Sequence, residues 1–429
     1  MRAWVVLVLL LPLLCSHGEP ARAQEAPGAS AEPVPVVPRR GARMRPAVFE
    51  RLAAAQRAAE IGRHAEALGL LEALERDFGG GRSLNAYERA NLHYFRGFIH
   101  EARGEGAEAI AAYGRVLGER GLPATMASNT RYALARLYLA AEDWAQAAAL
   151  LEAWFRDAEK PPPEAHAKLA RALYGLGKHE RALAEIDTAL AVARRLRLPP
   201  QEGWYLLMRA AAFDSGDTAR TRLALETLAR DWPRKEYFLQ LGAVYGQAGE
   251  TARRVAAIEA ALLAGWLVSE QELLSLAYLY LEAGLPRRAA ALIERETGAG
   301  RIARNAANLG LLAAAWQQAG EAGRSLAPLR EATGPGADAA QWLRLATLEL
   351  QLGEAGAAAR SARAALSAGG GERPDAARIL LGTALFEAGR LDEAREAFLA
   401  AGRDPRSQEE AGRWVRYLDT ESERRAMAM

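Results

Sequence analysis

The sequence predicts an all-α solenoid of about ten helix-turn-helix repeats closed by a C-terminal capping helix, on three observations. A turn of the form Gly-x-x-x-x-Ala recurs at Gly62 to Ala67, Gly104 to Ala109, Gly177 to Ala182 and Gly389 to Ala394, with variants starting at Glu142, Gly216, Gly249, Gly284, Gly320 and Gly353. Each turn lies between two stretches of roughly a dozen residues with apolar positions at helical spacing, and a turn glycine suits the residue that leaves a helix with positive φ. No segment sustains the two-residue alternation of a half-buried strand. With 50% hydrophobic and 25% charged residues, the 429-residue chain lies outside the regime of disordered polymers and can offset ordering by burial.

Taken in order, residues 1–23 run from Met1-Arg2 through the apolar stretch Ala3 to Cys15 to Ala21-Arg22-Ala23. This is the pattern of a secretory signal peptide, with cleavage expected before Gln24. Its apolar core falls short of the ~20 residues that span a bilayer. Leu14, preceding Cys15, is not the small residue that lipoprotein processing favours. Cleavage would remove the only cysteine, leaving a chain that folds in an oxidising compartment, the periplasm, without disulfides. Residues 24–45 read as a Pro/Ala-rich flexible linker. The repeats are expected over 46–405 and a capping helix with its tail over 406–429, where Trp414 and Tyr417 mark an apolar stripe among charges. Pro161-Pro162-Pro163, Pro199-Pro200, Gly334-Pro335-Gly336 and Gly369-Gly370-Gly371 punctuate the array as inter-repeat loops. No further run reaches membrane-spanning length without a charge, so no transmembrane segment is expected in the mature chain.

Successive turns are 33–42 residues apart, clustering near the 34-residue tetratricopeptide period. Gly97, Ala135, Ala170, Gly242, Ala277, Ala346 and Gly382 each stand seven residues before a turn residue, where two helices must approach closely. Tyr113, Leu151, Ile186 and Phe398 stand on the following helix as the knobs that fill the space. The unit Gly382, Gly389, Ala394, Phe398, Ala401 follows the tetratricopeptide pattern most closely. The fold class is therefore a tetratricopeptide-like superhelical solenoid.

Charge and motifs exclude several functions. A net charge of +2, from 55 Lys+Arg against 53 Asp+Glu, gives no basic stripe for nucleic acid. Nucleophile elbows, phosphate loops and His-Glu-x-x-His are absent, His179-Glu180 being followed by Arg181-Ala182-Leu183. His93 and His100 share a helix face two turns apart and do not converge on one metal. No catalytic residue, metal or cofactor is assigned, and the chain is read as not an enzyme.

In such arrays the first helix of each pair lines a concave groove. Its exposed positions lie six and three residues before the small packing residue, then one and four after it. This selects Asn91, Tyr94, Phe98 and Glu101 in repeat two, Asn129, Tyr132, Arg136 and Leu139 in repeat three, and Arg171 and Tyr174 in repeat four. Asn can bond an extended peptide backbone, and Tyr and Arg are enriched at interface hot spots. The alternative is that the aromatics pack against neighbouring helices while the asparagines cap or face solvent. Gln271, Leu274, Tyr278 and Leu281, then Ala307, Gly310, Ala314 and Gln317, make a blander surface further on.

The segments Trp232-Pro-Arg-Lys-Glu-Tyr-Phe-Leu-Gln-Leu-Gly-Ala-Val-Tyr245, Glu272-Leu-Leu-Ser-Leu-Ala-Tyr-Leu-Tyr-Leu281, Leu285-Pro-Arg-Arg-Ala-Ala290 and Gly300-Arg-Ile302 resemble the exported tetratricopeptide proteins encoded beside TonB, ExbB and ExbD in proteobacteria. The resemblance covers nearly all of residues 46–420. It implies a periplasmic scaffold or adaptor for protein partners, accessory to the TonB-ExbB-ExbD energy-transduction system. Alternatives are an assembly factor for secretion, pilus or cell-wall machinery, or an accessory envelope hydrolase. Arg209 and Arg254 depart from the small residues expected at their positions, leaving open the register of repeats five and six.

Overall fold

The structure, a computed structural model, describes residues 44–78, 83–334 and 336–428. The expected leader and all but the last two residues of the expected linker lie outside them. The regular elements among the described residues are all helices. They form two compact units, one ending at Pro233 and the other beginning at Arg234.

In the first unit the pairs are α1 (Pro46–Glu60) with α2 (His64–Asp77), α3 (Ala86–Ala102) with α4 (Gly106–Gly118), α5 (Ala124–Ala140) with α6 (Trp144–Asp157), α7 (Pro163–Gly175) with α8 (His179–Leu196), and α9 (Glu202–Ser215) with α10 (Thr218–Asp231). The second holds α11 (Lys235–Gln247) with α12 (Thr251–Leu263), α13 (Glu270–Glu282) with α14 (Pro286–Gly298), α15 (Ala306–Gln318) with α16 (Ala322–Ala332), α17 (Ala339–Gln351) with α18 (Ala355–Ser367), and α19 (Pro374–Glu387) with α20 (Leu391–Ala401). A long helix, α21 (Gln408–Ala428), follows. The first helix of each pair is called A and the second B.

All ten turn residues read from the sequence have positive φ, from 58° at Glu142 to 77° at Gly62, Gly216 and Gly353. At every turn the N–H of the next residue returns to the carbonyl five positions back, as in Arg63 to Ala58, Asp143 to Tyr138 and Leu285 to Tyr280, at 2.7–2.9 Å. This is the Schellman closure, which satisfies the last carbonyls of helix A while reversing the chain. Gly216 separates α9 from α10 and Gly249 separates α11 from α12, which fixes the register of repeats five and six.

Helix A packs on helix B through one recurring fit. The residue seven before the turn is Ala or Gly in nine repeats, and it faces the residue nine after the turn. A Cβ built on Gly382 would stand 2.6 Å from the Phe398 ring, and one on Gly97 would stand 2.8 Å from the Tyr113 ring. Leu71, Tyr113, Leu151, Ile186, Leu225, Ile293, Leu329 and Phe398 are the buried knobs at this station. Burying each such side chain contributes roughly 1.5–3 kcal/mol. Arg209 is the exception at the small station and is half-buried. Arg254 crosses Gly246, whose missing side chain leaves room for the guanidinium arm, and pairs with Glu282 at 3.3 Å.

Successive B helices are stitched by ion pairs at fixed stations, ten residues after one turn and four after the next. These are Glu152–Arg181 (2.8 Å) and Asp187–Arg220 (3.0 Å) in the first unit, and Glu259–Arg288 (2.6 Å) and Glu294–Arg324 (2.6 Å) in the second. Arg363–Glu393 (2.5 Å) repeats the stitch with the charges exchanged. Exposed pairs are worth about 0–1 kcal/mol each, so they set the stacking register more than they hold the array together. At the C-terminal end α21 lays Trp414 flat on Phe398, centroids 5.1 Å apart and planes within 4°, and buries Leu418. It covers the apolar edge that an end repeat leaves open.

Gly382→Ala is expected to destabilise by about 1–3 kcal/mol, the usual cost of overpacking, and the double variant with Phe398→Leu to recover most of that loss. Glu142→Gly is expected to stabilise by about 1 kcal/mol by removing a side chain from the left-handed region. Urea unfolding followed by helical circular dichroism checks both, and equal midpoints for wild type and Gly382→Ala would contradict the close fit.

Candidate functional site

The A helices of the first unit present one file of side chains at the stations flanking the small packing residue. Helix α3 begins with a capping box in which the Asn85 side chain accepts from the Glu88 N–H (2.9 Å) and Glu88 accepts from the Asn85 N–H (3.0 Å). The buried Glu88 carboxylate also receives Arg45 at 2.6 Å, which fixes the angle at which α3 leaves the first repeat. From α3 the file runs through α5 and α7 to α9.

Three expected surface residues are enclosed instead. Asn91 is buried, and its amide donates to the Tyr87 carbonyl of its own helix at 2.7 Å. Tyr94 is 5% exposed and meets Tyr113 edge-on with centroids 5.5 Å apart. Gly97 lets the Tyr113 ring lean against α3, and that ring closes over Tyr94. Burial pushes the Tyr94 phenol above its ordinary value, with the Glu101 carboxylate adding to the effect. Leu139 is buried as well. The expectation that these residues line a groove is corrected accordingly: they belong to the core between helices.

The remaining candidates reach the surface. Phe98 is half-buried. Glu101 accepts from the Tyr113 hydroxyl at 3.3 Å and is bonded by Arg136 of the next repeat. The structure thus joins two candidates that the sequence placed one repeat apart. Asn129 is exposed. Tyr132 is half-buried against Trp154 at 4.9 Å, and the contacts continue through Phe155 (5.3 Å) to His166 (4.7 Å), an aromatic chain from α5 over α6 to α7. Arg171 is exposed, its guanidinium carbon 5.9 Å from the centre of the Trp144 ring. The Tyr174 hydroxyl donates to Asp214 of the next repeat at 2.8 Å, and burial, with that bond second, holds the phenol above its usual range.

Sequence reasoning missed Phe213, which is 62% exposed. The same spacing rule selects it once Gly216 is taken as the turn of repeat five, but Arg209 at the small station hid that register. Trp144 and Trp154 were missed because they stand on B helices, outside the rule.

Chemically the file combines aromatic rings, one neutralised Glu–Arg pair and an exposed arginine. Such a surface can grip an extended or helical protein segment by stacking and bidentate hydrogen bonds. Among the described residues no group of His, Cys, Asp and Glu is placed to hold a metal ion, and no helix is long and apolar enough to cross a membrane.

The tetratricopeptide-repeat family matches residues 132–197 and 343–407, one segment in each unit. Together with the ten helix pairs this agrees with the fold class expected from the sequence, a tetratricopeptide-like superhelical solenoid. Among solved structures the chain is similar to a tetratricopeptide repeat protein from Parabacteroides merdae (18% identity, 62% of this chain and 97% of that chain, TM-score 0.36). It is also similar to the complex of the TPR2AB domain of yeast Sti1 with pHSP90 (15% identity, 69% and 100%, TM-score 0.32), and to the APC/C hetero-tetramer Cut9–Hcn1 (12% identity, 86% and 83%, TM-score 0.27). No curated protein matches the chain.

Tyr94→Ala is expected to lower the unfolding free energy by about 3 kcal/mol, as truncation of a buried aromatic does. Arg171→Ala is expected to change it by no more than about 0.5 kcal/mol, as at an open surface. Chemical unfolding of the two variants separates core from surface, and equal losses would contradict this assignment.

Proposed function

We propose that the protein is a periplasmic scaffold that holds a protein partner on the A-helix face of its first unit, as an accessory of a TonB-type energy-transduction system. The observation that carries this reading is the file of Phe98, Glu101, Arg136, Arg171, Tyr174 and Phe213 on successive A helices, an aromatic and arginine-bearing surface at the stations where repeat solenoids present their binding faces. Export is supported by the three-part pattern of residues 1–23, and the TonB association by the resemblance of the segments between Trp232 and Ile302. The mode of action is binding: partners are held at high local concentration and in fixed geometry, and no bond is made or broken.

The test is photocrosslinking in living cells from an unnatural residue at Arg171, with a control at exposed Glu180 on helix B, followed by mass spectrometry. Capture of TonB, ExbB or ExbD from position 171 alone is expected. Capture of secretion, pilus or cell-wall components would favour the assembly-factor reading, and equal capture from both positions would overturn the binding face. Phe213→Ala with Arg171→Ala is expected to reduce capture from a third probe at Asn129 at least tenfold, at unchanged helical circular dichroism, since hot-spot truncations cost about 2 kcal/mol or more.

A further inference from the structure

One station of helix A is occupied differently in repeat two than in its neighbours. Eleven residues before the turn stand Arg51, Arg131 and His166 in repeats one, three and four. Each is bonded to a carboxylate of its own helix B or its end: Asp77, Asp157 at 2.6 Å and Glu185 at 2.7 Å. In repeat two the station holds His93, which is 9% exposed and whose Nδ1 is closed off without a hydrogen-bond partner.

The carboxylates that serve the other repeats do not reach it. The counterpart of Asp77 and Asp157 is Glu119, whose two oxygens are taken by Arg89 at 2.8 and 2.7 Å. The counterpart of Glu185 is Ala112. The charges around the imidazole are known from each packed element. Arg96 of α3 is paired with Glu75 of α2 at 2.8 Å, and α4 contributes Arg115 and, at its end, Glu119. Arg45, at the N-cap of α1, is paired with Glu88 of α3.

We propose that His93 is an acid-sensitive latch of the second repeat: a proton taken up from solvent at Nδ1 creates an enclosed cation flanked by Arg96 and Arg115 with no free carboxylate to receive it, and α3 loosens from α2 and α4. Burial first, and then the two arginines, keep the folded imidazole below its ordinary value. The folded repeat therefore binds fewer protons than the open one below a pH of about 6.5, and its stability falls as the pH falls through that value. His166 supplies the internal contrast, since Glu185 already stands at its Nδ1. Helix α3 also carries Phe98 and Glu101, so the latch would couple acidity to partner release. That consequence alone rests on the proposed function.

Hydrogen exchange of the full chain at pH 7.5 and 5.5, corrected for intrinsic rates, tests the latch without any partner. Peptides of α3 and α4 are expected to lose protection by up to about tenfold, the limit for one proton between the two conditions, while those of α7, where Glu185 meets His166, hold theirs. His93→Gln is expected to abolish the difference. An equal loss in α7, or a loss that persists in His93→Gln, would overturn the proposal. If that variant misfolds, imidazole resonances of the wild type decide: His93 titrating near its ordinary value with α3 protection intact would also overturn it.

Discussion

The close approach of two helices across a missing side chain is the constraint on which the rest depends. Where Gly382 meets the face of Phe398, or Gly97 that of Tyr113, one added carbon would intrude on the ring. The small residue, the left-handed turn seven positions later and the knob nine beyond it form one unit of fit. Each turn can therefore be identical in geometry while surface residues vary freely. In a stack where a repeat touches only its neighbours, stability is a sum of such fits and of the interfaces between them.

That division explains what was legible. Turns, small stations and knobs are set by sterics at fixed sequence distances, so they can be read residue by residue even where Glu142 replaces the usual glycine. The binding face was legible only in part. A spacing rule assigns a station but does not weigh the size of what leans over it. Tyr94 occupies a groove station in register, yet Tyr113 covers it because the neighbouring station is Gly97 rather than Ala. Asn91 turned inward for a related reason: its amide finds an acceptor in the Tyr87 carbonyl of its own helix, the local alternative open to any short polar side chain. Phe213 was hidden by Arg209, a single large residue where the pattern asks for a small one.

The buried charges have a common logic. Glu88, Glu296, Glu349 and Asp375 are all enclosed, and each is met by at least one arginine: Arg45; Arg295 and Arg301; Arg330; Arg373 and Arg406. An ionised carboxylate removed from water is tolerated only with such partners. Each sits where helices meet or a loop ends, at a place where chain direction must be fixed. His93 is enclosed without this provision at Nδ1, and as a histidine it can shed its charge near neutrality.

The exchanged ion pair between the last two B helices has a consequence for assembly order. Repeats four to seven offer similar edges, with a carboxylate leading and an arginine receiving, so a growing stack is vulnerable to skipping a repeat. Glu393 stands at the receiving station of the tenth repeat, and there it meets Arg363 of the ninth as well as Arg390 of its own repeat. Seated on the fourth, sixth or seventh repeat instead, it would confront Asp187, Glu259 or Glu294, and like charges would repel. The terminal repeat thus carries a small electrostatic bias toward one place in the queue.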